Sequence, residues 1–324
     1  MRYGMTLGLT MVMAMAVAAG CGDDGDDNMN DTGGGGTGAA GGTGGSGGTG
    51  GTGGTGGTGG TGGGTTGASV DVELNGVEPL GNGYEYEGWL IVDGNPVSTG
   101  RFDVEMGTTT YNFPVSVADA EAATTFVLTI EPPNDPDPGP SDAKYLGGDF
   151  SGDDAPLSIG HMAALGDDFS NAAGAYILET PSSAAAGDYD QGIWWLMMPG
   201  PAAALTLPDL PVGWVYEGWI VDQNGPISTG RFTAADMADD DAGGPDAGPD
   251  GTPPFPGQDF IDPALSLVGL TAVISVEPED DDSPAPFAIK PLIDAMVEDV
   301  GAGTTQSMDD PGAIPDGMAS IVME

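Results

Sequence analysis

Two stretches of closely similar sequence decide how this chain is organised: residues 84–102 read YEYEGWLIVDGNPVSTGRF, and residues 214–232 read WVYEGWIVDQNGPISTGRF. Every position of the second stretch lies 130 residues after its counterpart in the first, and no gap interrupts the match. A duplication of this length indicates that one folding unit was copied. We therefore predict two related domains.

Each stretch has the pattern of a β-hairpin. Aromatic and β-branched residues fill positions 84–92, which favours a strand, and residues 96–104 form the predicted return strand. Gly94 and Asn95 are the predicted turn of the first copy. Asn224 and Gly225 take the same places in the second copy, and this dipeptide is strongly favoured in type I′ turns.

This register places Trp89 opposite Gly100, and Trp219 opposite Gly230, so that an aromatic ring would cover each strand glycine. An arginine follows each glycine and is itself repeated. The structural positions that we expect both copies to share are Trp89, Gly100, Arg101, Trp219, Gly230 and Arg231.

Short apolar segments separated by Gly- and Pro-rich turns continue through both copies, at residues 70–74, 126–132, 175–178, 192–197 and 272–278. Residues 290–300 have apolar side chains at helical spacing, which predicts one short helix. Few helical segments and many short strands predict an all-β fold of two tandem, related, Ig-like β-sandwich domains. The predicted domains cover residues 68–200 and 201–324.

The first residues have the pattern of a signal peptide. Arg2 precedes an uncharged apolar run at residues 5–17, and small residues precede the single cysteine, Cys21. This arrangement resembles the signal peptide of bacterial lipoproteins, which implies cleavage after residue 20 and lipidation of Cys21. The alternatives are a transmembrane helix, for which the run is short, and a secretory signal with an incidental cysteine.

Residues 21–67 are predicted to be a flexible tether, since Gly and Thr make up most of the segment. A Gly-rich coil of this length has a root-mean-square reach of roughly 35–40 Å. The predicted domains would thus stand clear of a membrane to which Cys21 is anchored. We predict a location in the bacterial cell envelope, at the outer membrane or cell surface.

The charge of the chain restricts its partners. Fifty acidic residues face five Lys and Arg, a formal net charge of −45. Such a field repels phosphate backbones, so nucleic acid is excluded as a partner. Four of the basic residues form matched pairs, Arg101 with Arg231 and Lys144 with Lys290. We interpret them as structural cations with carboxylate neighbours rather than as ligand-binding groups.

No catalytic residue is predicted. A histidine-dependent nucleophile or zinc site requires more nitrogen or sulfur ligands than His161 and Cys21 supply. No cofactor is expected, although acidic loops offer the oxygen ligands that Ca²⁺ prefers, without the spacing of an EF-hand. The candidate calcium ligands are Asp135, Asp137, Asp239, Asp240, Asp241 and Asp281.

The order of the repeated segments resembles the extracytoplasmic C-terminal domain of anti-sigma-K-type factors. The resemblance rests on the Tyr-Glu-Gly-Trp strand, the Ser-Thr-Gly-Arg-Phe return strand, and a Val-Glu-Pro strand before Ser283 and Pro284. It covers about residues 84–146 and 214–292. It implies an extracytoplasmic sandwich module, while the sigma-binding and zinc-binding parts of such factors have no counterpart in the sequence.

The leading functional hypothesis is a membrane-anchored lipoprotein that acts without catalysis, as a module that binds an envelope protein or an extracellular ligand. The first alternative is a component of envelope signalling, related to anti-sigma factors and acting through a membrane partner. The least favoured alternative is a hydrolase that uses paired carboxylates, because a fold alone does not exclude an activity.

Overall fold

The computed structural model describes residues 67–107, 109–185, 187–240, 253–280, 283–309 and 314–324. The predicted signal peptide, Cys21 and the tether up to residue 66 lie outside the described residues. Within them the regular structure is almost entirely β-strand, which confirms the predicted all-β class. In this part of the chain one α-helix is present, α1 (Val117–Ala122), where the Ser116 hydroxyl accepts a hydrogen bond from the amide of Asp119.

The strands of the described residues follow in chain order, with a short 3₁₀ helix at Tyr189–Gln191. They are β1 (Ala68–Asn75), β2 (Glu85–Val92), β3 (Asn95–Phe102), β4 (Thr110–Val115), β5 (Ala123–Glu131), β6 (Lys144–Asp149), β7 (Asp154–Ser158), β8 (Gly174–Leu178), β9 (Gly192–Trp194), β10 (Leu196–Met197), β11 (Ala202–Ala203), β12 (Trp214–Asp222), β13 (Gly225–Phe232), β14 (Gly257–Asp259), β15 (Thr271–Pro278), β16 (Leu292–Asp294), β17 (Thr305–Met308) and β18 (Asp316–Met323).

The largest sheet has eight strands in the order β3-β2-β5-β6-β7-β18-β1-β4. Side chains alternate between its faces, so that Val70, Val72 and Leu74 of β1 are buried together in the main core. Its two edge strands approach each other, because the Phe102 ring of β3 lies 4.7 Å from that of Tyr111 on β4. The sheet is therefore strongly curved around its core.

Two four-stranded sheets follow, with the orders β13-β12-β15-β16 and β14-β9-β8-β17. The C-terminal strand β18 pairs with β1 and β7, while β17 pairs with β8 and β14 pairs with β9. Strands thus pair across the predicted domain boundary at residue 200. Backbone hydrogen bonds in shared sheets join the two predicted repeats. The division into two domains at residue 200 stays a prediction.

Both hairpins form, but each turn lies one residue earlier than predicted. In the first hairpin the turn consists of Asp93 and Gly94, whose φ angles are 49° and 78°. In the second hairpin Asp222 and Gly225 close the turn as a cross-strand pair. Positive φ at both central residues is characteristic of the type I′ turn, and the Asp-Gly dipeptide of the first copy suits it. Neither Gln223 nor Asn224 has a positive φ, so the type I′ geometry expected for the second turn is wrong.

The predicted pair of Trp89 and Gly100 is wrong. Trp89 lies opposite Ser98, and Gly88 lies opposite Gly100, because Thr99 is an extra residue in a β-bulge. The Thr99 hydroxyl donates a hydrogen bond to the Gly88 carbonyl oxygen, 3.0 Å away. The shifted turn and the bulge together move the tryptophan away from the glycine.

The second hairpin repeats this arrangement. Trp219 lies opposite Ser228, and the register shifts before Glu217 pairs with Arg231. The predicted pair of Trp219 and Gly230 is therefore wrong for the same reason. Gly230 has a φ of 106°, a conformation that residues with a side chain rarely adopt.

The helix predicted at residues 290–300 is also wrong. Residues Leu292–Asp294 form β16, which pairs with residues 272–274 of β15. The Asp294 carboxylate then accepts a hydrogen bond from the Met296 amide, which turns the chain. Met296 is 58% exposed and Val300 is 39% exposed, so the apolar spacing does not mark one buried face.

Adjacent tryptophans connect the fold to its most conspicuous cavity. Trp195 belongs to the main core, where its ring lies 5.7 Å from that of Tyr176 in an edge-on arrangement. Trp194 faces the other way and packs with Ile177 and Leu196. The two side chains therefore point to opposite faces, and the smaller Trp194 cluster forms one wall of a cavity.

Candidate functional site

A cavity of about 580 Å³ lies beside strands β8, β9 and β10, which supply Ile177, Trp194 and Leu196 to its wall. Met198 and four prolines contribute further apolar surface. The volume falls within the range of roughly 300–1,000 Å³ that is usual for small-molecule sites. This apolar recess is therefore a candidate binding site.

Glu179 carries the only charge among the described residues that line this cavity. Its side chain is partly buried, and no described residue forms a hydrogen bond or an ion pair with its carboxylate. Burial raises the pKa of Glu179, and the nearby charge of Asp259 raises it further. The cavity therefore combines an apolar wall with one incompletely solvated carboxylate.

Asp259 lies behind this wall and is fully buried. It accepts hydrogen bonds from the Ser182 amide at 2.8 Å, from the Ser182 hydroxyl, and from Nε1 of Trp194 at 3.0 Å. Burial raises the pKa of Asp259, although these hydrogen bonds oppose the rise. The buried aspartate fixes the Trp194 ring, so the wall of the cavity is held in place before any ligand arrives.

The repeated arginine of the first hairpin lies among three carboxylates. Nε of Arg101 is 2.9 Å from Oε2 of Glu87, and Nη2 is 3.2 Å from Oδ2 of Asp135 and 3.7 Å from Oε2 of Glu131. Glu131 is fully buried, and burial raises its pKa. The predicted structural role of Arg101, with carboxylate neighbours, agrees with this geometry.

The second hairpin places its arginine in the same way. Nε of Arg231 is 3.0 Å from Oε2 of Glu217, and Nη1 donates a hydrogen bond to the Glu279 carbonyl oxygen. Burial raises the pKa of Glu217, while the Ser228 hydroxyl and Arg231 oppose the rise. The two repeated arginines thus neutralise buried glutamates of their own sheets.

Each hairpin also carries a buried polar chain that sequence reasoning missed. Nε1 of Trp89 donates to the Thr129 hydroxyl, which donates to Glu131, whose carboxylate also accepts the Ser141 amide. The second copy repeats the chain with Trp219, Ser275, Glu277 and the Phe287 amide. The signal was the glutamate of each Ile-Glu-Pro or Val-Glu-Pro segment, which follows a Thr or a Ser by two positions and so lies on the same strand face.

The structure separates the candidate calcium ligands. Oδ1 of Asp135 accepts the Asp137 amide, and Oδ1 of Asp137 accepts the Gly139 amide, so both stabilise a turn of their own loop. Asp239 accepts a hydrogen bond from the amide of Gly257 at the start of β14, and Asp240 accepts one from the amide of Arg231 near the end of β13. Asp241 and Asp281 lie outside the described residues. No group of three potential ligands suited to a metal ion occurs within them.

His161 occupies a turn beside β6. Its Nδ1 accepts a hydrogen bond from the Ala163 amide at 3.2 Å, and Nε2 lies 3.4 Å from Oδ1 of Asp149. The ring also packs over Gly147, where a Cβ atom would come within 2.8 Å of Nδ1. These contacts place His161 in the packing of this turn against β6.

Residues 10–143 match the family model of the anti-sigma-K factor rskA, C-terminal. The resemblance expected from the first hairpin is thus confirmed. The matched range contains β1 to β5 and the Arg101 cluster, and it ends just before β6.

The second hairpin lies outside the matched range, so two copies of the anti-sigma-K domain remain a prediction based on the repeat. No curated protein and no solved structure shows significant similarity to the chain. Where the chain is described, no helix combines the length and the apolar character needed to cross a bilayer.

Proposed function

We propose that this protein is a regulatory component of the bacterial cell envelope, related to anti-sigma factors, and that it acts by binding. The similarity of residues 10–143 to the C-terminal region of an anti-sigma-K factor carries this proposal. In this proposal a second protein passes the signal onward. The partner we propose is therefore a membrane protein with a cytoplasmic regulatory region.

Lipidation of Cys21 would hold the protein at the membrane where such a partner resides. The apolar run at residues 5–17, the small residues before Cys21 and the Gly- and Thr-rich tether support this arrangement. Lipoproteins carry more than one acyl chain, which is needed for stable anchoring. The tether of roughly 35–40 Å then allows the folded part to reach a partner that projects from the bilayer.

The proposal is tested by cross-linking in intact cells, followed by purification of the full-length protein from solubilised envelope. We expect enrichment of a transmembrane protein that has a cytoplasmic sigma-binding or anti-sigma region. The matched control is Cys21→Ser, which keeps the folded part and removes the acceptor for lipid. Recovery of that partner should fall strongly with Cys21→Ser, and enrichment only of soluble proteins unrelated to regulation would contradict the proposal.

A further inference from the structure

We propose that the cavity beside Trp194 binds an organic cation with an apolar body, and that its ammonium group pairs with the carboxylate of Glu179. The chemical class is a primary amine attached to an aromatic or aliphatic group. This inference concerns a ligand site and does not depend on the regulatory role proposed above.

The shape and lining of the cavity determine the apolar part of the ligand. About 580 Å³ is enclosed by Ile177, Trp194, Leu196 and Met198 together with prolines. Met198 is 45% exposed at the rim, while Trp194 and Leu196 are buried within the wall. An apolar group placed here would cover the exposed surface of Met198 and of the prolines, and removal of such surface from water favours binding.

The charge of the site determines the polar part of the ligand. Glu179 faces the cavity without a partner among the described residues, and it is partly withdrawn from water. A neutral ligand would cover this carboxylate and leave it unpaired, which costs binding free energy. An anionic ligand would in addition be repelled by the carboxylate. A cation satisfies it, and the acidic surface of the chain, with a net charge of −45, favours the approach of cations.

The site is also pre-organised. Asp259 accepts the Trp194 Nε1–H and the Ser182 amide, which fixes both the ring and the segment that follows Glu179. Gly303 lies next to the carboxylate, since a Cβ atom there would be 3.6 Å from Oε2 of Glu179. A ligand therefore enters a formed recess, and less binding free energy is lost in ordering the protein.

The test uses full-length protein in mild detergent and isothermal titration calorimetry with three matched probes: 4-phenylbutylamine, 4-phenylbutan-1-ol and 4-phenylbutanoate. These compounds share the apolar body and differ in the charge of the head group. We expect saturable binding of the amine with one site per chain, at least about tenfold tighter than binding of the alcohol. The carboxylate should show no saturable heat.

Two variants separate the site from general attraction to a polyanion. In the Glu179→Gln variant, the affinities for the amine and for the alcohol should differ by no more than about twofold. Glu121→Gln removes the same charge from the exposed face of α1 and should leave the amine affinity unchanged. Met198→Ala should weaken the binding of the amine and of the alcohol by a similar factor, because the substitution removes part of the apolar wall and no charge.

Circular dichroism of each variant establishes that the fold is retained. The proposal is overturned if the amine shows no saturable binding to the wild-type protein. It is equally overturned if Glu179→Gln and Glu121→Gln reduce amine binding to the same extent, since the carboxylate of the cavity would then have no special part in it.

Discussion

Nε of Arg101 lies 2.9 Å from Oε2 of Glu87, directly across the hairpin of β2 and β3. The second hairpin reproduces this pair with Arg231 and Glu217 at 3.0 Å. Both glutamates are buried, so each arginine neutralises a charge that the sheet has withdrawn from water. The two copies therefore share the same ion pair between a hairpin arginine and a buried glutamate.

Removal of this cation should destabilise the protein. Arg101→Ala leaves Glu87 and Glu131 buried without their counter-charge, and loss of one partner of a buried pair typically costs about 3–5 kcal/mol. The Arg101 side chain is 26% exposed, so we expect a loss near the lower limit, about 3 kcal/mol, in the free energy of unfolding by urea.

The control for this prediction is Lys144→Ala. Nζ of Lys144 lies 4.0 Å from Oδ1 of Asp142, and the Asp142 side chain is 71% exposed. Such a surface pair contributes about 0–1 kcal/mol, so this variant should be nearly as stable as the wild type. Equal losses in the two variants would show that the Arg101 cluster has no special role in stability.

The two bulge glycines should differ in their tolerance of a side chain. Gly100 and Gly230 have φ angles of 118° and 106°, so Gly→Ala at either position introduces backbone strain of about 1–3 kcal/mol. At Gly100 the added Cβ would meet nothing within 4 Å, whereas at Gly230 it would lie 2.6 Å from Cγ of Asp239.

Gly230→Ala should therefore lower the urea midpoint clearly more than Gly100→Ala does, because strain and a collision with a buried carboxylate add together. Each variant serves as the control for the other, since the residue type, the bulge and the change are the same. A smaller effect at Gly230 than at Gly100 would contradict the packing described for Asp239.

Buried carboxyl groups should make the protein more stable in mild acid than at neutral pH. Burial raises the pKa of Glu131, of Glu217 and of Asp259 in the folded state. Unfolded carboxyl groups titrate near about pH 4, so above that value the folded state binds more protons than the unfolded state. The stabilising contribution is complete below that pH and is lost as the pH rises through the folded pKa values.

We expect the free energy of unfolding to increase as the pH is lowered from 7 toward 5, measured by urea unfolding at each pH. Glu131→Gln should flatten this dependence, whereas Glu121→Gln on the exposed helix should preserve it. The pKa values of Asp149, Asp168 and Asp222 are lowered in the folded state. These groups reduce the free energy of unfolding only when the pH falls below about 4, the value at which unfolded carboxyl groups titrate. A steady loss of stability between pH 7 and 5 would contradict the burial of these groups.

Lipidation of Cys21 predicts that the wild-type protein and the Cys21→Ser variant differ in cell fractionation. Wild-type protein grown with a clickable fatty acid should carry the label and sediment with membranes, because acyl chains at Cys21 supply the anchor. Cys21→Ser should lose the label and appear in the soluble fraction. Arg2→Gln is the control, since it alters the same leader without removing the acceptor. Membrane sedimentation of Cys21→Ser would show that another feature holds the protein there.

Sequence alone located the strands of the first hairpin and predicted carboxylate neighbours for its arginine without identifying them, because alternation and repetition are local signals. It did not reveal the bulge, since Thr99 differs from its neighbours only through the hydrogen bond to the Gly88 carbonyl oxygen. It also placed a helix at residues 290–300, where pairing with β15 overrides helical spacing.

The cavity was beyond sequence reasoning because its wall is assembled from distant segments. Ile177 and Trp194 come from paired strands, while Gly303 lies more than one hundred positions further along the chain. Glu179 does not belong to the repeated stretches, and it is one of 50 acidic residues, so nothing in the sequence distinguishes it. Only the pairing of β14 and β17 with β9 and β8 brings these parts together.

The most direct test of the regulatory account is transcript sequencing in the bacterium that produces the protein, after deletion of its gene. The account predicts altered expression of a group of genes that share the promoter sequence of one sigma factor. Wild-type protein should restore their expression, and Cys21→Ser produced at the same level should not. Unchanged expression of every sigma-factor-dependent group, under conditions in which the protein is abundant, would contradict the proposed function.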